Sequence, residues 1–127
     1  MVNLGCLFSL EASPLSVTAD IIRRFDVRRF IEFGMNNPAF NGIKDKLQTI
    51  DNNDMSASLE QQISKDIAVL DLSFTMKNKL RDVGLNTIKD VLSASENKLM
   101  EAYYVGEKRA RMMKRVALTS VYEYLIG

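Results

Sequence analysis

Directly after Gly106, the run Glu107-Lys108-Arg109-Ala110-Arg111-Met112-Met113-Lys114-Arg115 holds five cations and one anion. A glycine at the head of a helix leaves backbone N–H groups without intrahelical acceptors, and the positive helix end stands behind them. Bare amides beside a cationic stripe are the equipment for holding phosphate. On a helical wheel, Lys108, Arg111 and Arg115 fall within roughly 60° of one another. Ala110, Met113, Ala117 and Tyr124 fall on the opposite, inward side.

Other chemistries lack parts. The protein has no histidine, which removes Ser-His-Asp and Cys-His machinery and any imidazole metal ligand. Its single cysteine, Cys6, forms neither an internal disulfide nor a multi-thiolate metal site, and fits a reducing compartment. Asp51, Asn53 and Asp54 lack the glycine and distal glutamate of a calcium loop. The carboxylates show no clustered nuclease signature. The expectation is a non-enzymatic protein with no metal and no cofactor.

The elements that must position these groups come from one domain's worth of sequence, or two small ones. The 127 residues are 46% apolar and carry a net charge of +1, which excludes a disordered protein. No stretch reaches the ~20 apolar residues of a membrane span, so the sequence reads as soluble and cytoplasmic. Charge is uneven: residues 1–67 have 7 basic and 9 acidic residues, net −2, and residues 68–127 have 10 and 7, net +3.

Val2, Leu4, Cys6, Phe8 and Leu10 alternate with other residues, suggesting an extended arm. Ser16 or Thr18 caps a helix carrying Ile21, Ile22, Phe25, Phe30 and Phe33, ended by Gly34 and Asn36-Asn37-Pro38. Arg23, Arg24, Arg28 and Arg29 on it are interspersed with Asp20, Asp26 and Glu32, so surface ion pairing is expected. A second helix spans about 39–50, and Ser58 caps a third. In the second half, Ser73 caps a helix bearing Phe74, Met76 or Lys77, and Leu80, which stops at Gly84. Asn86 and Thr87 are turn and cap residues for the next, Ser95 caps another, and a long helix runs from about Glu107 to Leu125. The fold class is all-α: an N-terminal helical segment, 1–66, followed by a compact tandem helix-hairpin-helix domain, 67–127.

Both hairpins share one grammar, helix–apolar–Gly–helix, at Leu80 to Ile88 and at Leu99 to Ala110. In each, the glycine permits a bend that a Cβ would obstruct. The run Leu70-Asp71-Leu72-Ser73, Asn78-Lys79-Leu80, Val83-Gly84-Leu85-Asn86-Thr87-Ile88, Leu92, Glu96, Leu99 and Val105-Gly106-Glu107-Lys108 resembles the C-terminal domain of the bacterial RNA polymerase alpha subunit, over about residues 67–116. The resemblance implies a helical domain that holds the DNA minor groove and contacts transcription proteins. It assigns DNA-facing roles to Asn78, Lys79, Gly106 and Lys108. Arg109 stands where the family has a small hydroxyl residue, and Thr75 stands where it has its principal minor-groove arginine.

The expected function is double-stranded DNA binding through the backbone. Gly106 amides and Lys108 hold one phosphate, Arg109 and Arg111 the neighbours, with Arg115 on the same stripe, and Asn78 with Lys79 the other side of the groove. Residues 1–66 serve docking or homodimerisation. The alternative is a protein-interaction module within a larger transcription, defence or virion assembly, which Thr75 favours. Tyr103, Tyr104, Tyr122 and Tyr124 are expected in the core or on a partner surface rather than against bases.

Overall fold

The computed structural model describes residues 15, 17, 19–50 and 55–127. The alternating segment Val2–Leu10, the Ser16 or Thr18 cap and the Asp51–Asp54 turn lie outside the described residues. Among the described residues there are eight α-helices: α1 Ala19–Arg24, α2 Val27–Met35, α3 Lys44–Gln48, α4 Ser56–Ile63, α5 Phe74–Asp82, α6 Ile88–Ser93, α7 Glu96–Leu99 and α8 Glu107–Ile126. Short 3₁₀ turns span Pro38–Ile43 and Ile67–Val69. Among the described residues there is no strand, only an isolated bridge between Asp66 and Thr87. The all-α expectation holds.

The first helix expected from the sequence is two helices. Phe25 takes a left-handed φ of 51°, ending α1. Asp26 then caps α2, its carboxylate accepting from the Arg29 amide at 3.2 Å. An aspartate offers the backbone a better bond at a cap than inside a helix, so the periodicity continues while the backbone breaks. The helix expected over 39–50 likewise begins as a 3₁₀ turn. Non-helical backbone at Phe40 marks a kink there, and the Phe40 ring is buried against Tyr122. The third begins at Ser56, two residues before Ser58, and its first turn has no capping side group.

Gly34, a terminator by its sequence context, lies inside α2. A Cβ there would come within 2.7 Å of Tyr122 Cζ and 2.9 Å of its hydroxyl. The glycine therefore lets α2 approach α8. Tyr122 donates its hydroxyl to the Phe30 carbonyl at 2.7 Å, with the Phe30 and Phe40 rings 4.9 and 5.1 Å away. Burial holds this phenol well above the ordinary tyrosine range.

Helix α8 is the axis of the molecule: α3, α4, α6 and α7 all pack on it, and α1 packs on α6. Its buried stripe is Ala110, Met113, Lys114, Ala117, Leu118, Val121, Tyr122 and Leu125. Buried side chains from both halves of the protein form one core, from Ile22 and Phe30 through Leu59 and Leu80 to Leu92 and Val121. Fully burying each large aliphatic side chain contributes about 1.5–3 kcal/mol. Tyr124, placed inward by the wheel, is instead exposed, donating to Gln61 Oε1 at 3.2 Å beneath Lys65 Nζ. No helix of the described residues is long and apolar enough to cross a membrane.

Candidate nucleic-acid interface

The two hairpins set up the site. In the first, Gly84 adopts φ +84°, a left-handed conformation that suits glycine. Thr87 caps α6 in a full capping box, its hydroxyl accepting from the Asp90 amide while the Asp90 carboxylate accepts from the Asn86 and Thr87 amides. The entry to α6 is also zipped to the segment before α5: Ile67 N–H donates to Asn86 O, and Ile88 N–H to Lys65 O, both at 3.0 Å. Asp66 anchors that seam through Arg81 at 2.6 Å, which lowers the Asp66 pKa, helped by the Ala68 amide. The Asn86, Thr87, Ile88 and Asp90 amides of this hairpin are spent internally.

The second hairpin is open. Gly106 is the N-cap of α8 with extended backbone, φ −97° and ψ −171°, and no side-group hydrogen bond caps the helix. A Cβ at Gly106 would meet nothing within 4 Å, so the expectation that it would obstruct the bend does not hold for this glycine; it holds for Gly84 on backbone grounds alone. The Gly106 carbonyl accepts from Ala110, while the Glu107, Lys108 and Arg109 amides find no acceptor among the described residues.

The cations divide into sets. Lys108, Arg111 and Arg115 line one depression of about 420 Å³ with Leu15, Glu107 and Met112, as the wheel grouped them. Arg111 is engaged there, its guanidinium 3.3 Å from Glu96 and 3.4 Å from Glu107. Arg109 turns the other way and donates to the Tyr104 carbonyl at 3.0 Å. Lys79 reaches the same turn from α5, its ammonium 6.0 Å from the Tyr104 ring centroid. Asn78 lies beside it in sequence on α5, exposed. The structure thus brings Lys79 and Arg109 together at the Gly106 turn and puts Lys108, Arg111 and Arg115 along the flank.

Lys114 leaves the basic surface altogether. It is 1% exposed and donates to the Leu92 carbonyl at 3.1 Å, at the end of α6. Burial pushes its pKa down to about 8, with nearby Glu96 pulling the other way. Its place was visible in the spacing, since position 114 is four from both Ala110 and Leu118.

Three aromatic residues stand in solvent, which for the two tyrosines removes the core half of the expectation and leaves the partner-surface half. Tyr103 and Tyr104 are 71% and 73% exposed, with ring centroids 4.2 Å apart, rather than packed in the core. Phe74, counted among the spaced residues of α5, is 79% exposed in its first turn. The available signal was the adjacent pair Tyr103-Tyr104, which no single helical face absorbs. The four N-terminal arginines fit ion pairing only in part: Arg23, Arg24 and Arg29 share the single carboxylate of Asp20.

These features define a helical domain of paired hairpins with an uncapped, cation-flanked helix N-terminus. Residues 53–115 match the family model of the C-terminal domain of the bacterial RNA polymerase alpha subunit. That segment is an RNA polymerase alpha C-terminal-like domain, and the match begins before α4, upstream of the residues that carried the resemblance in the sequence. The family is a non-catalytic DNA-binding and protein-interaction domain of RNA polymerase. No curated protein and no solved structure gives a significant match.

Proposed function

We propose that this protein is non-enzymatic and cytoplasmic, and that it binds DNA by holding one face of a duplex through its backbone, in a transcription setting. The uncapped start of α8 carries the reading: three free amides at a positive helix end, flanked by Lys108 and Arg109. Gly106 and those amides take one phosphate with Lys108. Arg109 takes a neighbouring phosphate, and Asn78 and Lys79 meet the opposite strand. Arg115, and Arg111 to the extent that Glu96 and Glu107 release it, extend the electropositive flank. Such contacts position the protein without reading bases. The N-terminal segment, expected over residues 1–66 and overlapped by the family match from residue 53, serves docking or homodimerisation through the part that precedes the match.

A fluorescence-anisotropy salt series with duplex DNA tests the reading. Binding weakens steeply with salt, and Lys108→Glu or Arg109→Glu lowers affinity and reduces the slope of log K against log salt by about 1. Absence of binding at low salt by the folded protein defeats it. A second reading, a protein-interaction module, is favoured by Thr75 and by the Leu15- and Met112-lined depression where carboxylates already occupy Arg111. Salt-insensitive capture of a transcription protein, without DNA binding, supports that reading.

A further inference from the structure

The side of the domain that carries Thr75 and Lys79 displays exposed rings. Phe74 is adjacent to Thr75 and one helical turn before Asn78, and Thr75 is one turn before Lys79. Lys79 leads to Tyr104, Tyr104 to Tyr103, and Arg109 holds the Tyr104 carbonyl. Tyr104 takes a left-handed φ of 59°, uncommon for a bulky residue. These tyrosines are not filling a core: both are more than two-thirds exposed, and their rings lie against each other at 4.2 Å, tilted by 44°.

We propose that the Tyr103–Tyr104 pair is a base-stacking site, and that the DNA it favours carries an unstacked base, as at an opened or mismatched step. The proposal rests on the backbone-binding reading above and adds to it the state of the DNA. The charge around the rings selects the occupant. Lys79, Arg109 and the bare amides of α8 supply a setting for phosphate within the same turn that supplies the aromatic faces. Aromatic faces next to phosphate-holding groups match a nucleotide, whose base and phosphate are joined by one sugar. An intact duplex hides its base faces inside the stack, so the rings gain a partner only where a base leaves it.

The test uses the full-length protein and two duplexes of equal length, one fully paired and one with a central two-nucleotide mismatch containing 2-aminopurine. Wild-type protein binds the mismatched duplex about ten-fold more tightly, the lower part of the range for stacking one base, and quenches the 2-aminopurine fluorescence. Tyr104→Asn, which tolerates the left-handed backbone, together with Tyr103→Ser, abolishes the preference and the quenching while affinity for the paired duplex stays within about two-fold. Equal wild-type affinity for both duplexes with unchanged fluorescence overturns the stacking site and leaves backbone binding standing. Equal loss of both affinities in the tyrosine variants, with helicity retained, overturns it as well, because the rings then only support the hairpin. Failure to bind either duplex at low salt removes both readings.

Discussion

The Gly84 hairpin and the Gly106 hairpin share a pattern of residues and end in opposite states. Around Gly84 every device is internal: a left-handed glycine, a reciprocal capping box between Thr87 and Asp90, and a backbone seam to residues 65–67. Around Gly106 the glycine is extended, the helix start is uncapped, and the two residues before Val105 are exposed tyrosines. A closed hairpin spends its polar groups on stability. An open one keeps them for a ligand. With glycine as its cap, α8 gives up only about a few tenths of a kcal/mol relative to a side-chain cap, and that small cost falls where binding is expected.

The substitution that separates the two most directly is Gly106→Asp. Aspartate is a good N-cap, and the space at Gly106 is empty, so the melting temperature should hold or rise. The new carboxylate then occupies the amides and repels phosphate, and duplex affinity drops by at least about ten-fold, or ~1.4 kcal/mol. A fall in both stability and affinity would mean the Gly106 turn is as structural as the Gly84 turn.

Next comes Lys114, which joins the second hairpin to the first through the Leu92 carbonyl. Its folded pKa of about 8 lies below the unfolded value near 10.5, so the unfolded state holds that proton more tightly. The charging penalty is full below pH 8, and stability rises with pH from about 8 towards 10.5, by on the order of 3 kcal/mol. Chemical denaturation across that window should show the rise in wild type and its loss in Lys114→Met.

Gly84→Ala forces alanine into a left-handed backbone at a cost of about 1–2 kcal/mol, measured as a lowered urea midpoint. Duplex affinity should remain unchanged. The smallest effect is Thr87→Ala, which removes half of the capping box for about 1 kcal/mol, again without a change in DNA binding. DNA binding that fell with either substitution would erase the division between a closed and an open hairpin.

Much of the helical domain was legible because its local signals agree with its packing. Ser73 and Ser95 cap α5 and α7 as their types and positions suggest, each hydroxyl accepting an amide three residues on. Gly84 stops α5 in the backbone conformation that only glycine takes easily. The long α8 follows its apolar spacing to within a residue of the end that spacing sets. The N-terminal helices were less legible. The helical period ran straight through Phe25, whereas the backbone there follows Asp26 as a cap. Gly34 looked like a stop because its close neighbour, Tyr122, is far away in sequence.

The candidate site was legible in its cations and not in their company. The spacing grouped Lys108, Arg111 and Arg115, and the depression they line agrees with it. Glu96, from another helix, pairs with Arg111, and no wheel of α8 displays that neighbour. Lys114 was counted as surface charge although its spacing put it on the buried stripe.

The sequence by itself determined the elements: caps, stops and apolar periods act over one to four residues, within reach of the local backbone. Tertiary structure alone decided which polar groups remain free, because an amide, a cation or an aromatic face is satisfied by whatever packs beside it. Burial sent Tyr122 and Lys114 inward and left Tyr103 and Tyr104 facing solvent and the first amides of α8 without an internal acceptor.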